Sequence, residues 1–393
     1  ISIFAGENIN TKDFVFQVAE HNDSTIVMQL PFAEGGYIQQ RYVLPKDGYM
    51  LQNELSFVNM DGIIPRNVSM FDIDWSVIIP RLEKGYKNEK QYSKLDYYFT
   101  GDKKPEEIGR SRDAAKRIDT KVKWFAFQQQ FFSAIMTADT EFASADLDVK
   151  YFAENDPSRN LMACSAKLRS DFRAGSDNVT VPYTFYFGPN DYSGLKAYDQ
   201  KYEKIIPLGG WLVGWISRFV IIPIFDFLGK FISNYGLIIF LLTIIIKLVI
   251  LPFTFKSYMS SAKMRVLRPQ IDEINARIPA EKAMERQQAT MALYQKAGVS
   301  PMSGCLPMLF QMPILFAMFS FFPTAFELRG QSFLWADDLS AYDSIWDFGA
   351  NVPLLGDHLS LFALLMAVTM FFYSRMTSSQ MSDDPNMAGM KFM

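Results

Sequence analysis

Two hydrophobic patterns divide the chain, and the change between them falls near residue 207. Before that point, apolar and polar residues alternate over short runs such as Thr25–Leu30 and Asn178–Phe187. Alternation with period two, rich in β-branched and aromatic residues, predicts β-strands that bury one face. After that point, apolar residues continue for about 15 to 20 positions at a time, which is typical of helices that cross a membrane. The patterns therefore predict two domains of different class.

The first part of the chain is predicted to be an all-β sandwich. Gly36–Leu44 and Tyr49–Val58 show the same alternation, and the turn residues Pro45–Gly48 separate them. Many short strands over roughly 190 residues favour two antiparallel sheets packed face to face. Residues 101–120 are polar and charged, and they are predicted to form a loop.

The segment Pro207–Gly210 predicts the boundary between a domain at 1–207 and a domain at 208–393. Composition changes at the same place. Residues 1–207 carry 25 Lys and Arg and 29 Asp and Glu, whereas residues 208–393 carry 14 and 13. The first domain is therefore predicted to face water and the second to face lipid. Neither half has the basic excess of a nucleic-acid-binding domain.

Three membrane spans are predicted, at residues 235–255, 305–322 and 359–373. The apolar segment 211–231 before them is different. Its charges Arg218, Asp226 and Lys230 fall within about 120° of a helical wheel. Because the opposite side stays apolar, this segment is predicted to be an interfacial helix along the membrane surface.

Loop charges predict the orientation. Residues 256–304 hold eight basic and four acidic residues, whereas residues 323–358 hold one basic and six acidic residues. Since loops rich in Lys and Arg stay in the cytoplasm, the first loop is predicted to be cytoplasmic and the second external. The β-domain, joined before the first span, is then also external. Its export needs a leading helix, which is expected before Ile1.

The cytoplasmic loop, residues 256–303, is predicted to fold into a helical hairpin with a turn at Pro279. Apolar residues recur at steps of three and four before this turn, and apolar residues share one side of a second helix after it. They are Met264, Leu267, Ile271, Ile274 and Ile278 before it, and Met284, Met291 and Tyr294 after it. The hairpin is either a solvated connector or a docking element for a large partner, and the pattern leaves both open.

Lys247 is the leading candidate for a functional residue, since it lies inside an otherwise apolar span. Nine residues, roughly 13 Å of helix, separate it from Lys256 at the cytoplasmic end. A charge at that depth is costly unless it faces water or a partner. The three spans contain no Asp or Glu. The expected partner is therefore water, a lipid headgroup or a visiting anionic segment.

Thr243 and Gln311 are the other candidate site residues. Thr243 precedes Lys247 by one helical turn and shares its face, and Gln311 lies in the second span among apolar neighbours. The three side chains could line one hydrophilic hollow between helices. Thr243 and Gln311 could each instead serve only as an interhelical hydrogen-bonding group.

Other chemistry is not indicated. Cys164 and Cys305 fall in different domains, and His21 and His358 lie far apart in sequence. No metal-ligand spacing, phosphate-binding loop or Gly-x-Ser-x-Gly motif occurs. We therefore predict no enzyme activity, no catalytic residue, no metal and no cofactor.

Several segments resemble the YidC/Oxa/Alb family of membrane-protein insertases. In the membrane part they are Lys247–Thr254, Ser261–Gln270, Met291–Tyr294, Gly304–Pro313 and Thr369–Phe372. The first 207 residues resemble the large periplasmic domain of the Gram-negative members through Lys123–Phe131. The resemblance implies a periplasmic β-supersandwich related to sugar-binding folds, followed by an α-helical domain in the inner membrane.

The resemblance also implies a site. In the family, five membrane helices surround a hydrophilic groove, whose basic residue, usually Arg, matches Lys247. Thr243 and Gln311 match other groove-lining positions. Lysine keeps the charge but lacks the planar fork of arginine. The hairpin matches a cytoplasmic element required for insertion. Two of the five helices have no counterpart here, and they are expected before Ile1 and after Met393.

The implied function is the insertion of nascent membrane proteins without a nucleotide. The polar segment of a client is held near Lys247 while its apolar segment leaves sideways into lipid. The implied partners are nascent membrane proteins, the lipid bilayer, the Sec translocon, and the ribosome or the signal recognition particle receptor.

Two other functions compete with insertion. A transporter or channel could use Lys247 as an anion site, but inverted repeats, which favour transport, are not evident in the three spans. A carbohydrate enzyme in the β-domain would need a histidine or carboxylate set, and His21 is the only histidine of that domain.

Overall fold

The computed structural model describes residues 1–32, 35–172, 178–279, 281–298, 306–352 and 356–381. The chain divides into two compact units. The first comprises Ile1–Pro207 with Thr324–Phe326, and the second comprises Leu208–Pro323 with Glu327–Met393. The first is built of strands and the second mainly of helices.

The described residues of the first unit form fourteen strands and two short helices. The strands are β1 (Ser2–Phe4), β2 (Asn8–Asn10), β3 (Gln17–His21), β4 (Thr25–Pro31), β5 (Tyr37–Val43), β6 (Met50–Val58), β7 (Met70–Pro80), β8 (Lys94–Tyr98), β9 (Glu106–Ile108), β10 (Ala114–Ile118), β11 (Val122–Gln128), β12 (Phe132–Tyr151), β13 (Asn160–Asp171) and β14 (Asn178–Pro189). The helices are α1 (Tyr86–Tyr92) and α2 (Tyr192–Ala197), with 3₁₀ turns at Thr11–Asp13 and Tyr202–Ile205.

All fourteen strands belong to one antiparallel sheet, because β12 is long enough to pair with four neighbours. Its first part pairs with β11 and β14, and its later part pairs with β10 and β13. Between the two parts, Glu141 has a φ of 71° and the ladder to β13 shifts register after Phe142. Such an irregularity bends a strand and increases its twist.

The sheet folds over on itself and encloses the core. Strands β6 and β7 are separated by three strands in the sheet order, yet the rings of Phe57 and Phe71 lie 5.4 Å apart. Trp75 of β7 likewise stacks on Phe127 of β11 at 4.2 Å. The predicted all-β sandwich is confirmed, and its two layers are continuous through β12.

The prediction of a loop at residues 101–120 is wrong, because two short strands occur there. Glu106–Ile108 pairs with β8, and Ala114–Ile118 pairs with β12. Both strands are polar and largely exposed. Their pairing with buried neighbours determines the structure here, since β-propensity depends strongly on tertiary context.

The described residues of the second unit form seven helices and one small hairpin. The helices are α3 (Trp211–Ile216), α4 (Ile222–Gly229), α5 (Tyr235–Val266), α6 (Arg268–Arg277), α7 (Ala283–Lys296), α8 (Leu306–Phe321) and α9 (Leu361–Met381). A π-helical turn, Ser217–Ile221, joins α3 to α4, and 3₁₀ turns occupy Phe322–Thr324 and Phe326–Leu328. The hairpin consists of β15 (Trp346–Val352) and β16 (Gly356–Leu359).

The π-helical turn between α3 and α4 follows from Pro223. Proline has no N–H to donate to the preceding turn, so a regular helix loses a hydrogen bond there. The N–H of Ile222 bonds Ser217 O five residues earlier. The helical run continues in this way from Trp211 to Gly229 with one wider turn.

Helix α5 continues well past residue 255, where the first span was predicted to end, and reaches Val266. Its 32 residues extend over about 48 Å, more than the roughly 30 Å of a hydrocarbon core. Among the described residues, two segments are long and apolar enough to cross a membrane, Trp211–Gly229 and Tyr235–Met264. Leu309–Thr324 and Leu361–Arg375 are shorter apolar helices.

The hairpin of β15 and β16 was not predicted. Trp346 pairs with Leu359, and Asp347 pairs with His358. Helix α9 then begins at Leu361, two residues after the start predicted for the third span. Leu359 therefore ends a strand and does not open the helix.

Candidate functional site

Helix α5 buries one side. Four residues at steps of four are buried there: Ile238, Leu242, Ile246 and Ile250. Steps of four keep side chains on the same side of a helix, so α5 presents a narrow packing face. Phe253 extends this packing towards α8, where its ring lies 4.9 Å from that of Phe310.

Three polar residues form a stripe beside the packing face of α5. At 100° per residue, Thr243, Lys247 and Thr254 lie within about 40° of one another. Thr243 Oγ1 donates to Ile239 O at 2.8 Å, and Thr254 Oγ1 donates to Ile250 O at 3.0 Å. Each hydroxyl keeps its acceptor lone pairs for a further partner. We call Thr243, Lys247 and Thr254 the polar stripe.

Lys247 is the charged member of the polar stripe, and its side chain is exposed. Within the part of the chain that the structure describes, Lys247 Nζ makes no hydrogen bond or ion pair. A lysine ammonium carries three donors and no acceptor. This group can therefore receive an anion or an electron-rich oxygen without first breaking an internal pair.

Gln311 lies on α8, directly after Phe310, and is exposed. Because Phe310 packs on Phe253, α8 lies beside α5 six residues, roughly 9 Å, beyond Lys247. In the described residues no hydrogen bond joins Gln311 to the polar stripe. The structure thus brings the two helices together without a hydrogen bond between Gln311 and Lys247, and the role predicted for Gln311 stays a prediction.

Thr254 is a member of the stripe that the sequence analysis did not single out. It follows Lys247 by seven residues, a spacing that returns to almost the same side of a helix. The signal was present in the sequence, but the predicted span ended at residue 255 and placed Thr254 at its margin.

The loop after α5 contains two helices, α6 and α7, and hydrogen bonds from Arg286 hold them together. Arg286 Nε donates to Ile278 O at 2.6 Å, and its Nη2 donates to Asn275 O at 2.5 Å. These carbonyls belong to the end of α6, where backbone acceptors have no partner within the helix. A guanidinium on α7 therefore caps α6 and holds the hairpin closed, a role that spacing alone did not indicate.

The predicted apolar residues of the hairpin lie on α5, α6 and α7 and at the two positions that flank α6. Met264 belongs to α5, and Pro269 interrupts the helix before α6, because it has no N–H for the preceding turn. Leu267, Ile271, Ile274 and Ile278 are half-buried, as is Tyr294 on α7. Met284 and Met291 are exposed. Residues 299–305, which include the end of the predicted hairpin and Cys305, lie outside the described residues.

Asp343 binds the start of α9. Its Oδ2 accepts from Phe362 N and from Trp335 Nε1, both at 3.0 Å, and Ser360 Oγ donates to its Oδ1. Burial acts to raise the pKa of Asp343, but these hydrogen bonds outweigh burial and hold it below its ordinary value. The carboxylate stays charged and serves as a cap for the first turn of α9.

The single cysteine described by the structure, Cys164, is not a candidate nucleophile. It is buried in β13, and burial raises the pKa of its thiol to about 12. Among the described residues, no group of three or more His, Cys, Asp or Glu side chains could hold a metal ion.

Comparison with known protein families covers both units. Residues 3–224 match the family profile described as the YidC periplasmic domain, and residues 227–393 match the profile described as the 60Kd inner membrane protein. The chain belongs to the YidC family. The first unit is accordingly its periplasmic domain, and the second, with its apolar helices, is its membrane domain.

Curated YidC relatives match almost the whole chain. The protein of Parabacteroides distasonis is 42% identical over 98% of this chain and 63% of its own length. That of Bacteroides fragilis is also 42% identical, with 98% and 63% covered, and that of Porphyromonas gingivalis is 40% identical, with 98% and 64% covered. Each is named a membrane protein insertase, which agrees with the prediction that the protein is not an enzyme. The chain spans slightly less than two thirds of the length of these YidC proteins.

Proposed function

We propose that this YidC-family protein inserts other proteins into the membrane, and that the polar stripe of α5 forms part of a hydrophilic groove for the client. The supporting observation is Lys247, an exposed cation within an apolar helix that has no ion-pair partner among the described residues. A charge in this position is costly and is expected to have a function.

Lys247 lowers the barrier for the polar part of a client. A carboxylate at the centre of a membrane helix costs about 2.5–3.5 kcal/mol on the translocon scale. For an acidic residue of the client, the ammonium group of Lys247 offsets part of this cost. The hydroxyl oxygens of Thr243 and Thr254 accept hydrogen bonds from backbone N–H groups of the client. No nucleotide is needed, because burial of the client's apolar segment in lipid drives the step.

The apolar segment of the client leaves along the exposed sides of the helices. Large apolar side chains are exposed on α5, α8 and α9. They are Phe240, Leu248 and Val249 on α5, Leu309 and Phe319 on α8, and Leu365 and Phe371 on α9. In the membrane these side chains contact lipid or a passing apolar segment equally well. The client therefore meets a polar stripe and an apolar surface on the same helix, α5.

Contacts within the membrane domain support the orientation predicted from the loop charges. Phe333, in the loop between α8 and α9, packs so closely over Gly236 that a Cβ at this position has no room. In the same loop, the ring of Trp335 lies 4.6 Å from that of Phe362. The first turns of α5 and α9 are thus held by one loop, as expected if both helices start on the periplasmic side.

The helix from Trp211 to Gly229 is proposed to lie at the periplasmic surface. Ser217 Oγ reaches Ala317 O at 3.5 Å, and the ring of Phe225 lies 5.1 Å from Phe321 and 5.8 Å from Tyr235. These partners belong to the last turns of α8 and the first turn of α5. The helix therefore packs on the ends of α8 and α5 that are proposed to face the periplasm.

The hairpin of α6 and α7 is proposed to meet cytoplasmic partners. Arg286 holds its two helices together, while Met284 and Met291 remain exposed on α7. Exposed methionines suit a surface that accepts varied partners. The ribosome, the signal recognition particle receptor and the Sec translocon are the proposed candidates, with nascent membrane proteins as clients.

The test uses the full-length protein in proteoliposomes, with Lys247 as Lys, Arg, Ala or Glu. The readout is protease-protected insertion of a small client whose translocated tail is acidic. Lys247→Arg is expected to keep activity, and Lys247→Ala and Lys247→Glu are expected to lose it at least tenfold. Lys256→Ala, at an exposed position nine residues further along α5, is the matched control and should insert normally.

Equal insertion by all four forms at position 247 contradicts the groove proposal. A second client with a neutral tail separates charge capture from general damage, because it should depend much less on Lys247. An anion channel, the alternative function, predicts instead that Lys247→Ala abolishes anion flux across the vesicles while insertion of both clients is unchanged.

A further inference from the structure

The loop between α8 and α9 is fastened to the first turns of two membrane helices. We call residues 327–360 the outer loop. Phe333 covers Gly236 at the first turn of α5, and Trp335 packs on Phe362 at the first turn of α9. Asp343 accepts hydrogen bonds from Phe362 N and Trp335 Nε1. The loop is therefore held at the level where both helices begin.

Large apolar side chains of the outer loop nevertheless point away from the protein. Leu334 is 72% exposed, Trp346 is 67% exposed and Ile345 is 48% exposed. Trp346 starts β15, and its ring lies 6.1 Å from that of Phe348, two residues further on the same face of the strand. Large apolar side chains left this exposed along one loop are unfavourable in water and indicate a partner.

Leu334 adds an independent observation, because its backbone is strained. Its φ is 55°, a left-handed conformation that suits glycine or asparagine far better than leucine. The turn around it is closed by reciprocal hydrogen bonds between Phe333 and Ala336, at 2.9 and 3.0 Å. The turn thus holds an exposed leucine where a polar or small residue would be less strained, which points to a contact that needs the apolar side chain.

We propose that the outer loop is a lipid anchor, in which Leu334, Ile345 and Trp346 insert into the headgroup–acyl boundary of the outer leaflet. The inference rests on the membrane placement proposed above. Tryptophan favours this boundary, because its ring is apolar and its N–H is polar. The anchor fixes the first turns of α5 and α9 relative to the membrane surface.

Lipid is the occupant favoured by the position of the outer loop. The exposed side chains belong to a loop that is continuous with α9 and packed on α5, so they lie near the level at which these helices enter the membrane in the proposed placement. The loop's carboxylates do not provide an electrostatic alternative. Asp343 is bound as described, and Asp338 Oδ1 accepts from Gly330 N at 3.1 Å and Ser340 N at 2.8 Å. Because the loop holds six acidic residues and one basic residue, it does not attract anionic headgroups, and its insertion should not require anionic lipid.

The experiment measures quenching of tryptophan fluorescence in full-length protein reconstituted into phosphatidylcholine that carries bromine at the upper acyl carbons. The chain has six tryptophans. Trp346→Phe is expected to lower the quenched fraction of the emission, because it removes a residue in contact with bromine. Trp124→Phe, buried in the periplasmic domain, should not lower it. Ile345→Trp provides a gain of signal and should raise the quenched fraction.

The outcomes separate this proposal from the proposed membrane placement. Trp215 is exposed on the helix from Trp211 to Gly229, which is proposed to lie at the periplasmic surface. Trp215→Phe therefore reports on the placement of the membrane domain itself. If Trp215→Phe lowers the quenched fraction while Trp346→Phe and Ile345→Trp leave it unchanged, the lipid anchor is wrong and a protein partner must cover the outer loop. If none of the three changes it, the membrane placement fails as well.

Discussion

Two lysines in apolar surroundings show how the periplasmic and membrane domains differ. Lys94 is buried in the periplasmic domain, where its Nζ lies 2.7 Å from Asp96 Oδ1 and 2.6 Å from Glu107 Oε2. Lys247 lies in an apolar helix of the membrane domain and has no such partner among the described residues. The first charge is neutralised by its own fold. The second is available to another molecule, which is why we assign function to it.

The apolar side chains differ in the same way. Trp124 and Phe125 of β11 are completely buried in the periplasmic domain. Leu248 and Val249 of α5 are mostly exposed. Water forces the first domain to cover its apolar residues, whereas lipid lets the second display them. The periplasmic domain therefore encloses its apolar side chains, whereas the membrane domain presents many of them at its surface.

Removal of the buried lysine should give the largest effect. Lys94→Met leaves the Asp96 carboxylate buried without its cation and is expected to destabilise the periplasmic domain by about 3–5 kcal/mol. Hydrogen exchange of the β8 and β11 amides in the full-length protein measures this loss. Lys247→Met is the matched control and should leave the same amides unchanged. Equal effects of the two substitutions would remove the contrast between the lysines.

The stability of the periplasmic domain should depend on pH through Asp96. Burial raises the pKa of Asp96 to about 6, and Lys94 only partly opposes this. The folded domain therefore binds this proton more tightly than the unfolded chain. The contribution of Asp96 to the free energy of unfolding is therefore largest below pH 4. It decreases as the pH rises to about 6 and is constant at higher pH.

Asp96→Asn isolates this contribution. The stability of the natural protein minus that of Asp96→Asn should fall by about 2–3 kcal/mol between pH 4 and pH 7, since each pKa unit corresponds to about 1.4 kcal/mol. Exchange at the β8 amides measures it. A difference that rises with pH would show that Lys94 outweighs burial at this carboxylate.

In the membrane domain, the carboxylate of Asp343 is expected to stabilise the start of α9. Asp343→Ala removes the cap of α9 and should reduce the protection of its first-turn amides by about 1–2 kcal/mol. Asp347→Ala, at an exposed position of β15, is the control and should change it by less than about 0.5 kcal/mol. Equal protection in both variants would mean that packing of Trp335 on Phe362 suffices to hold the helix start.

The smallest effect is expected for an exposed ion pair of the periplasmic domain. Arg41 and Glu54 lie 3.2 Å apart on neighbouring strands, with side chains 43% and 47% exposed. Glu54→Gln should cost about 0.5 kcal/mol or less, because water screens such pairs. Thermal unfolding at low and high salt gives the measurement, and a loss comparable to that of Lys94→Met would contradict the distinction between buried and exposed pairs.

The sequence by itself determined the class of each domain and the position of Lys247. Alternation such as that of Tyr49–Val58 predicts a half-buried strand, and an apolar run such as Tyr235–Phe255 predicts a membrane helix, because both patterns follow from which solvent each face meets. A lysine inside such a run stands out for the same reason. These features depend on residues close together in the chain.

The tertiary structure alone decided which residues meet across long separations. The Lys94-Leu95-Asp96 pattern is that of a solvated segment, and only the pairing of β8 with β9 and β11 buries it and supplies Glu107. The polar segment 101–120 forms strands because β8 and β12 offer free edges. Likewise, Phe333 contacts Gly236 and Arg286 caps the end of α6 only because the tertiary structure brings these residues together. Such contacts depend on the positions of whole elements, which local periodicity does not encode.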